Sequence, residues 1–102
     1  IITSKEHMGD VVNLLGSGEE FGCDFTYKVQ ETPGGIAHAL ALAEDFAHNE
    51  RIAVILGDNI FEYSIKLYKE NFLKQKKGAR VLLKDVGDPE RFGIAALEEY
   101  YV

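Results

Sequence analysis

Ile52-Ala53-Val54-Ile55-Leu56-Gly57-Asp58-Asn59 is the stretch that decides the fold. Five apolar residues run without a polar interruption, so the segment reads as a central parallel strand covered on both faces. Upstream, from Gly35, residues Ile36, Ala39, Leu40, Ala43 and Ala47 recur along one face of a predicted helix. Before that helix Phe25, Tyr27 and Val29 alternate with Thr26, Lys28 and Gln30, the period of a half-buried strand. Earlier still, Met8, Val11, Val12 and Leu15 have helical spacing, Gly16 and Gly18 stop that helix, and Ile1-Ile2-Thr3 reads as the tail of a strand. Downstream, Ile65, Tyr68 and Phe72 define a third helix that ends in Lys74, Lys76, Lys77 and Gly78, cations well placed against the helix dipole. Residues 79–84 and 92–97 complete the strands. Strands alternating with helices imply crossover units, hence an α/β layered fold with a mostly parallel sheet and helices on both faces.

The 102 residues suffice for one small domain, 1–102, and no repeat or Pro/Ser-rich linker divides them. A sheet of that size is expected to bury about two-thirds of its surface. Eleven basic against seventeen acidic residues leave a net charge of −6, which argues against a nucleic-acid backbone as partner. No apolar run approaches the roughly 20 residues that span a bilayer, so no membrane is expected. The one cysteine, Cys23, has no internal disulfide partner, and a reducing, cytoplasmic location is expected. The opening inside a strand and the polar turn Glu98–Val102 suggest a piece of a larger domain.

In open parallel sheets ligands bind beyond the carboxyl ends of the strands. Two segments arrive there with suitable groups. Gln30-Glu31-Thr32-Pro33-Gly34-Gly35 runs from strand to helix. Gln30 carries a donor and an acceptor, as recognition of a base edge requires, and the glycines let backbone approach a ligand. Taken alone, the same segment reads more simply as a plain turn and helix start, since Gly-rich turns are common. Asp58, just past the apolar strand, is a hard-oxygen ligand suited to Mg²⁺ or, alternatively, a turn cap. His7, His38 and His48 fall on separate predicted helices without metal-ligand spacing, and Cys23 lacks a histidine partner.

Taken in order, Tyr27-Lys28-Val29-Gln30, Pro33-Gly34-Gly35-Ile36-Ala37-His38-Ala39-Leu40, Val54-Ile55-Leu56-Gly57-Asp58-Asn59-Ile60-Phe61 and Asp88-Pro89-Glu90-Arg91-Phe92-Gly93 resemble the sugar-phosphate nucleotidyltransferases. The nearest likeness is to the branch that joins dTTP and glucose-1-phosphate into dTDP-glucose, a precursor of deoxysugars such as rhamnose. The resemblance implies a Rossmann-like domain, here truncated. It also implies that Gln30, Pro33 and Gly35 hold the pyrimidine, that Ile36, Leu56 and Gly93 line the sugar side, and that Asp58 holds Mg²⁺. A homo-oligomer is the family's usual state, and exposed strand edges offer a route to one.

The chain departs from that pattern. It has no Gly-Gly-x-Gly-Thr-Arg-Leu loop to cradle phosphates and no Glu-Glu-Lys-Pro motif to supply the sugar-phosphate lysine; Phe92 stands where Tyr is common, and His38 where Gln is common. One lost charge-stabilising donor costs about 10²–10³ in rate, so the isolated chain is expected to be inactive. The alternatives are a non-catalytic nucleotide-binding module or a self-associating structural one.

Overall fold

The computed structural model describes residues 1–98. It divides into two compact units, Ile1–Leu56 and Gly57–Val102. The sequence carries no composition change at that point.

The first unit opens with strand β1 (Ile2–Ser4) and passes directly into helix α1 (Lys5–Leu15). Met8, Val11 and Leu15 are half-buried, the expected stripe, while Val12 lies at its margin. Gly16 ends the helix with φ +55°, and its N–H donates to the Val12 carbonyl. A 3₁₀ turn, Glu19–Phe21, follows. Strand β2 (Lys28–Gln30) then pairs with β1 in parallel, Ile2 against Lys28, Thr3 against Val29 and Ser4 against Gln30.

The link from α1 to β2 is organised by Gly18, a buried residue at φ +95°. Its carbonyl accepts from Phe21 N–H at 2.9 Å and Cys23 N–H at 3.1 Å, while Ser17 C=O accepts from Phe25 N–H at 2.7 Å. Phe21, Phe25 and Tyr27 form a chain of ring contacts with centroids 5.8 and 6.4 Å apart. The Tyr27 hydroxyl donates to the Gly16 carbonyl, tying strand to helix end.

Helix α2 (Gly35–Leu42) packs on β2 and on the short helix α3 (Glu44–Ala47). The sequence predicts one continuous helix here. Instead Ala43 leaves the helical region at φ −91°, ψ 3°, and its N–H closes an i→i+3 bond to Leu40. His48 and Asn49, both at positive φ, end α3; these residue types tolerate left-handed backbone. Of the predicted face, Ala39, Ala43 and Ala47 are half-buried, whereas Ile36 and Leu40 are exposed.

The second unit contains helix α4 (Lys66–Lys74), shorter than predicted because Gln75 turns extended at ψ 133° and leaves Lys76 and Lys77 beyond the helix end, and a 3₁₀ turn, Pro89–Arg91, within the polar Asp88–Gly93 segment. Arg91 pairs with Asp88 at 3.0 Å.

The expected strands 52–56, 79–84 and 92–97 do not form ladders: β1 and β2 make the one sheet among the described residues. An apolar run selects burial, but a parallel strand also needs a neighbour to satisfy its N–H and C=O groups. These segments have none within the described residues, and Val54, Ile55 and Val81 are more than half exposed. The expected two-thirds burial is likewise not reached, since no hydrophobic side chain among the described residues is fully buried. The turn predicted at Glu98–Val102 lies mostly outside the described residues. The fold class is nevertheless α/β with parallel strand pairing. No described helix is long and apolar enough to cross a membrane.

Candidate functional site

Because β1 and β2 are parallel, their carboxyl ends, Ser4 and Gln30, lie side by side. Beyond them opens a cleft of about 710 Å³ lined by Ser4, Lys5, Glu6, Gln30, Glu31 and Pro33. This is where an open parallel sheet places its ligands. The structure thus brings Gln30 and Pro33 together and adds Ser4, Lys5 and Glu6, which sequence reasoning missed. The available signal was the strand character of Ile1-Ile2-Thr3; what it lacked was the knowledge that this strand pairs with Lys28–Gln30. Lys5 supplies a cation at the cleft, and α1 begins there with its first amides unbonded within the helix.

Gly35, at φ +81°, begins α2, and Ile36 in its first turn is 57% exposed. The Gly35 carbonyl accepts a hydrogen bond from Gln30 Nε2 at 3.3 Å. The same Nε2 lies 3.1 Å from His38 Nδ1. The residue type alone predicts that Gln30 offers a ligand both a donor and an acceptor. Both of its N–H bonds are in fact directed into its own chain, leaving Oε1, an acceptor, for a ligand.

Leu56 is the last residue of the first unit. Asp58 and Gly93 belong to the second. Asp58 sits in the turn at Gly57–Asp58 and is exposed. No group of three or more His, Cys, Asp or Glu residues among the described ones could hold a metal ion by itself. A single exposed carboxylate cannot make an all-protein cage; Asp58 would suit Mg²⁺ only where bound phosphates supplied further oxygens. Gly93 is exposed, with open space where a Cβ would stand.

The model of the nucleotidyl transferase family matches residues 1–101. A glucose-1-phosphate thymidylyltransferase of Neisseria meningitidis is 35% identical over 108 residues, covering 99% of this chain and 35% of its own length. The low-salt glycan biosynthesis nucleotidyltransferase Agl11 of Haloferax volcanii is 35% identical over 99 residues, covering 97% of this chain and 28% of its own. A crystal structure from Bacillus anthracis, provisionally assigned as a glucose-1-phosphate thymidylyltransferase and solved with sucrose, superposes with a TM-score of 0.91 at 61% identity. It covers 100% of this chain and 42% of that one. The chain therefore spans about a third of the length of the curated relatives it matches. Family model, ordered motifs and backbone superposition converge, and the chain belongs to the nucleotidyl transferase family.

Proposed function

We propose that this chain supplies the pyrimidine-recognising part of a glucose-1-phosphate thymidylyltransferase. The observation that carries the reading is the parallel β1–β2 pair, which sets Gln30 and Pro33 on a cleft with a cation, Lys5, at its edge. In the reaction, a phosphate oxygen of glucose-1-phosphate attacks the α-phosphorus of dTTP in line. The bond to the bridging oxygen breaks, dTDP-glucose forms and pyrophosphate leaves. Such transfer needs positioning and charge neutralisation more than covalent chemistry by the protein.

Gln30 Oε1 accepts from the base N3–H, with Pro33 and Gly35 shaping the pocket around it. Ile36, Leu56 and Gly93 are assigned to the sugar side. Asp58 holds Mg²⁺, which when bound offsets the charge of the nucleotide phosphates. With no phosphate-cradling loop in its 102 residues, the chain by itself binds nucleotide without turning it over. A cytoplasmic setting and a role in supplying nucleotide-activated deoxysugars belong to the same reading.

The test is a titration of the ¹⁵N-labelled chain with dTTP and Mg²⁺, followed through backbone amides. Shifts confined to residues 30–36 and the surroundings of Asp58 support the reading. A well-dispersed spectrum with no shifts at millimolar nucleotide would remove it.

A second reading, self-association, is favoured by the exposed apolar segment 52–56, which has no ladder partner within the described residues and could pair with another copy. Sedimentation velocity over a hundredfold range of concentration decides it: a sedimentation coefficient that stays constant at the monomer value excludes it.

A further inference from the structure

Gly35 C=O can only accept, so the atom of the Gln30 amide 3.3 Å from it is the nitrogen. That fixes the second contact. His38 Nδ1, 3.1 Å from the same nitrogen, must also accept, and the imidazole proton sits on Nε2 of the ring. The two hydrogens of one amide are both engaged, and Oε1 alone is left for the cleft. Gly34 makes room for this arrangement. A Cβ there would come within 2.6 Å of His38 Cγ and 2.8 Å of His38 Cβ. Its own φ of −98° suits any residue, so the space, not the backbone, requires glycine.

We infer that His38 is a positioning residue, lodged against Gly34, that locks the Gln30 amide with its acceptor outward and so selects bases with an N–H at that point. The selection rests on the proposed role of Gln30 in reading the base. Uracil and thymine present N3–H and match; cytosine presents a bare N3 acceptor and meets Oε1 lone pair to lone pair. Without His38 one amide hydrogen is released and the amide is held by a single bond. Its flipped form, N–H outward, then becomes accessible and serves cytosine.

The orientation is tested without ligand or mutation. A ¹⁵N–¹⁵N scalar coupling between Gln30 Nε2 and His38 Nδ1, with the ring protonated on Nε2, is expected in the labelled chain. A ring protonated on Nδ1 overturns the inference. The selection is tested by the ratio of Kd values for dCTP and dUTP, bases of equal size. His38→Ala and Gly34→Ala each lower that ratio about two- to tenfold, the range of one net hydrogen bond. His38→Asn, whose Oδ1 can accept where Nδ1 did, restores it. An unchanged ratio in His38→Ala also overturns the inference. If the coupling is present but the unaltered chain binds dCTP and dUTP equally, the base-reading role of Gln30 fails, and the selection by His38 with it.

Discussion

Replacing Gly18 with alanine tests the backbone hub between α1 and β2, and Gly22 provides the control. Both residues have left-handed backbone, φ +95° and +69°. An L-residue there costs about 1–2 kcal/mol, partly offset by about 0.4–1 kcal/mol of lost unfolded-state freedom. At Gly22 nothing lies within 4 Å of the added Cβ, so the net cost should be about 0.5–1 kcal/mol. At Gly18 the Cβ would stand 2.6 Å from Cys23 O, 3.0 Å from Cys23 C and 3.1 Å from Phe25 N. These are backbone atoms held by the Gly18 and Ser17 carbonyls, and they cannot swing aside as a side-chain tip can. Overpacking of that kind adds about 1–3 kcal/mol, bringing the total to about 1.5–4 kcal/mol. Urea unfolding followed by far-UV circular dichroism reads the difference as a midpoint separation on the order of 1 M between the variants. Gly18→Ala unfolded in buffer while Gly22→Ala folds supports the same reasoning. Equal midpoints would refute the claim that backbone contact, beyond left-handed geometry, makes residue 18 glycine.

Three further outcomes follow from the geometry. Asp58→Asn should leave nucleotide affinity without Mg²⁺ unchanged or slightly higher and abolish most of the gain on adding Mg²⁺, measured by calorimetry with dTTP. Tyr27→Phe removes the hydroxyl that donates to the Gly16 carbonyl and should cost about 0.5–1.5 kcal/mol in urea unfolding, with the m-value unchanged. Glu70→Gln breaks a pair with Lys66 whose groups are 4.0 Å apart and 48% and 76% exposed, and should shift stability by less than about 0.5 kcal/mol, a difference that vanishes in 1 M salt.

Local signals in the sequence located the helices well. Met8, Val11 and Leu15 face inward on α1, Gly16 stops it, and α4 covers the span marked by Tyr68 and Phe72. The break at Ala43 left no trace, because alanine and leucine on either side are good helix formers. Ile52–Leu56 shows the other limit: composition reports that a segment favours burial, while strand formation depends on a partner elsewhere. The same distinction runs through the site. Gln30 and Pro33 were legible as polar and turn residues at a strand end. Lys5 and His38 were not: Lys5 reaches the cleft because the preceding Ser4 pairs with Gln30 in the β1–β2 register, and His38 meets Gln30 across the strand–helix turn at Gly34. His38 looked solitary only along the chain.

The β1–β2 register also sets an order of events during folding. Each rung joins residues 26 apart, as in Ile2 with Lys28 (28 − 2). Closing a flexible loop of that length costs about 3 kcal/mol before three short rungs can offset any of it. Helix α1 and the Gly18 turn form from near neighbours and shorten the flexible span, so they should lead and the ladder should follow. Ser4 and Gln30, at the far end of that ladder, would be joined late and parted early, which places the mouth of the cleft among the most quickly exchanging amides of its unit.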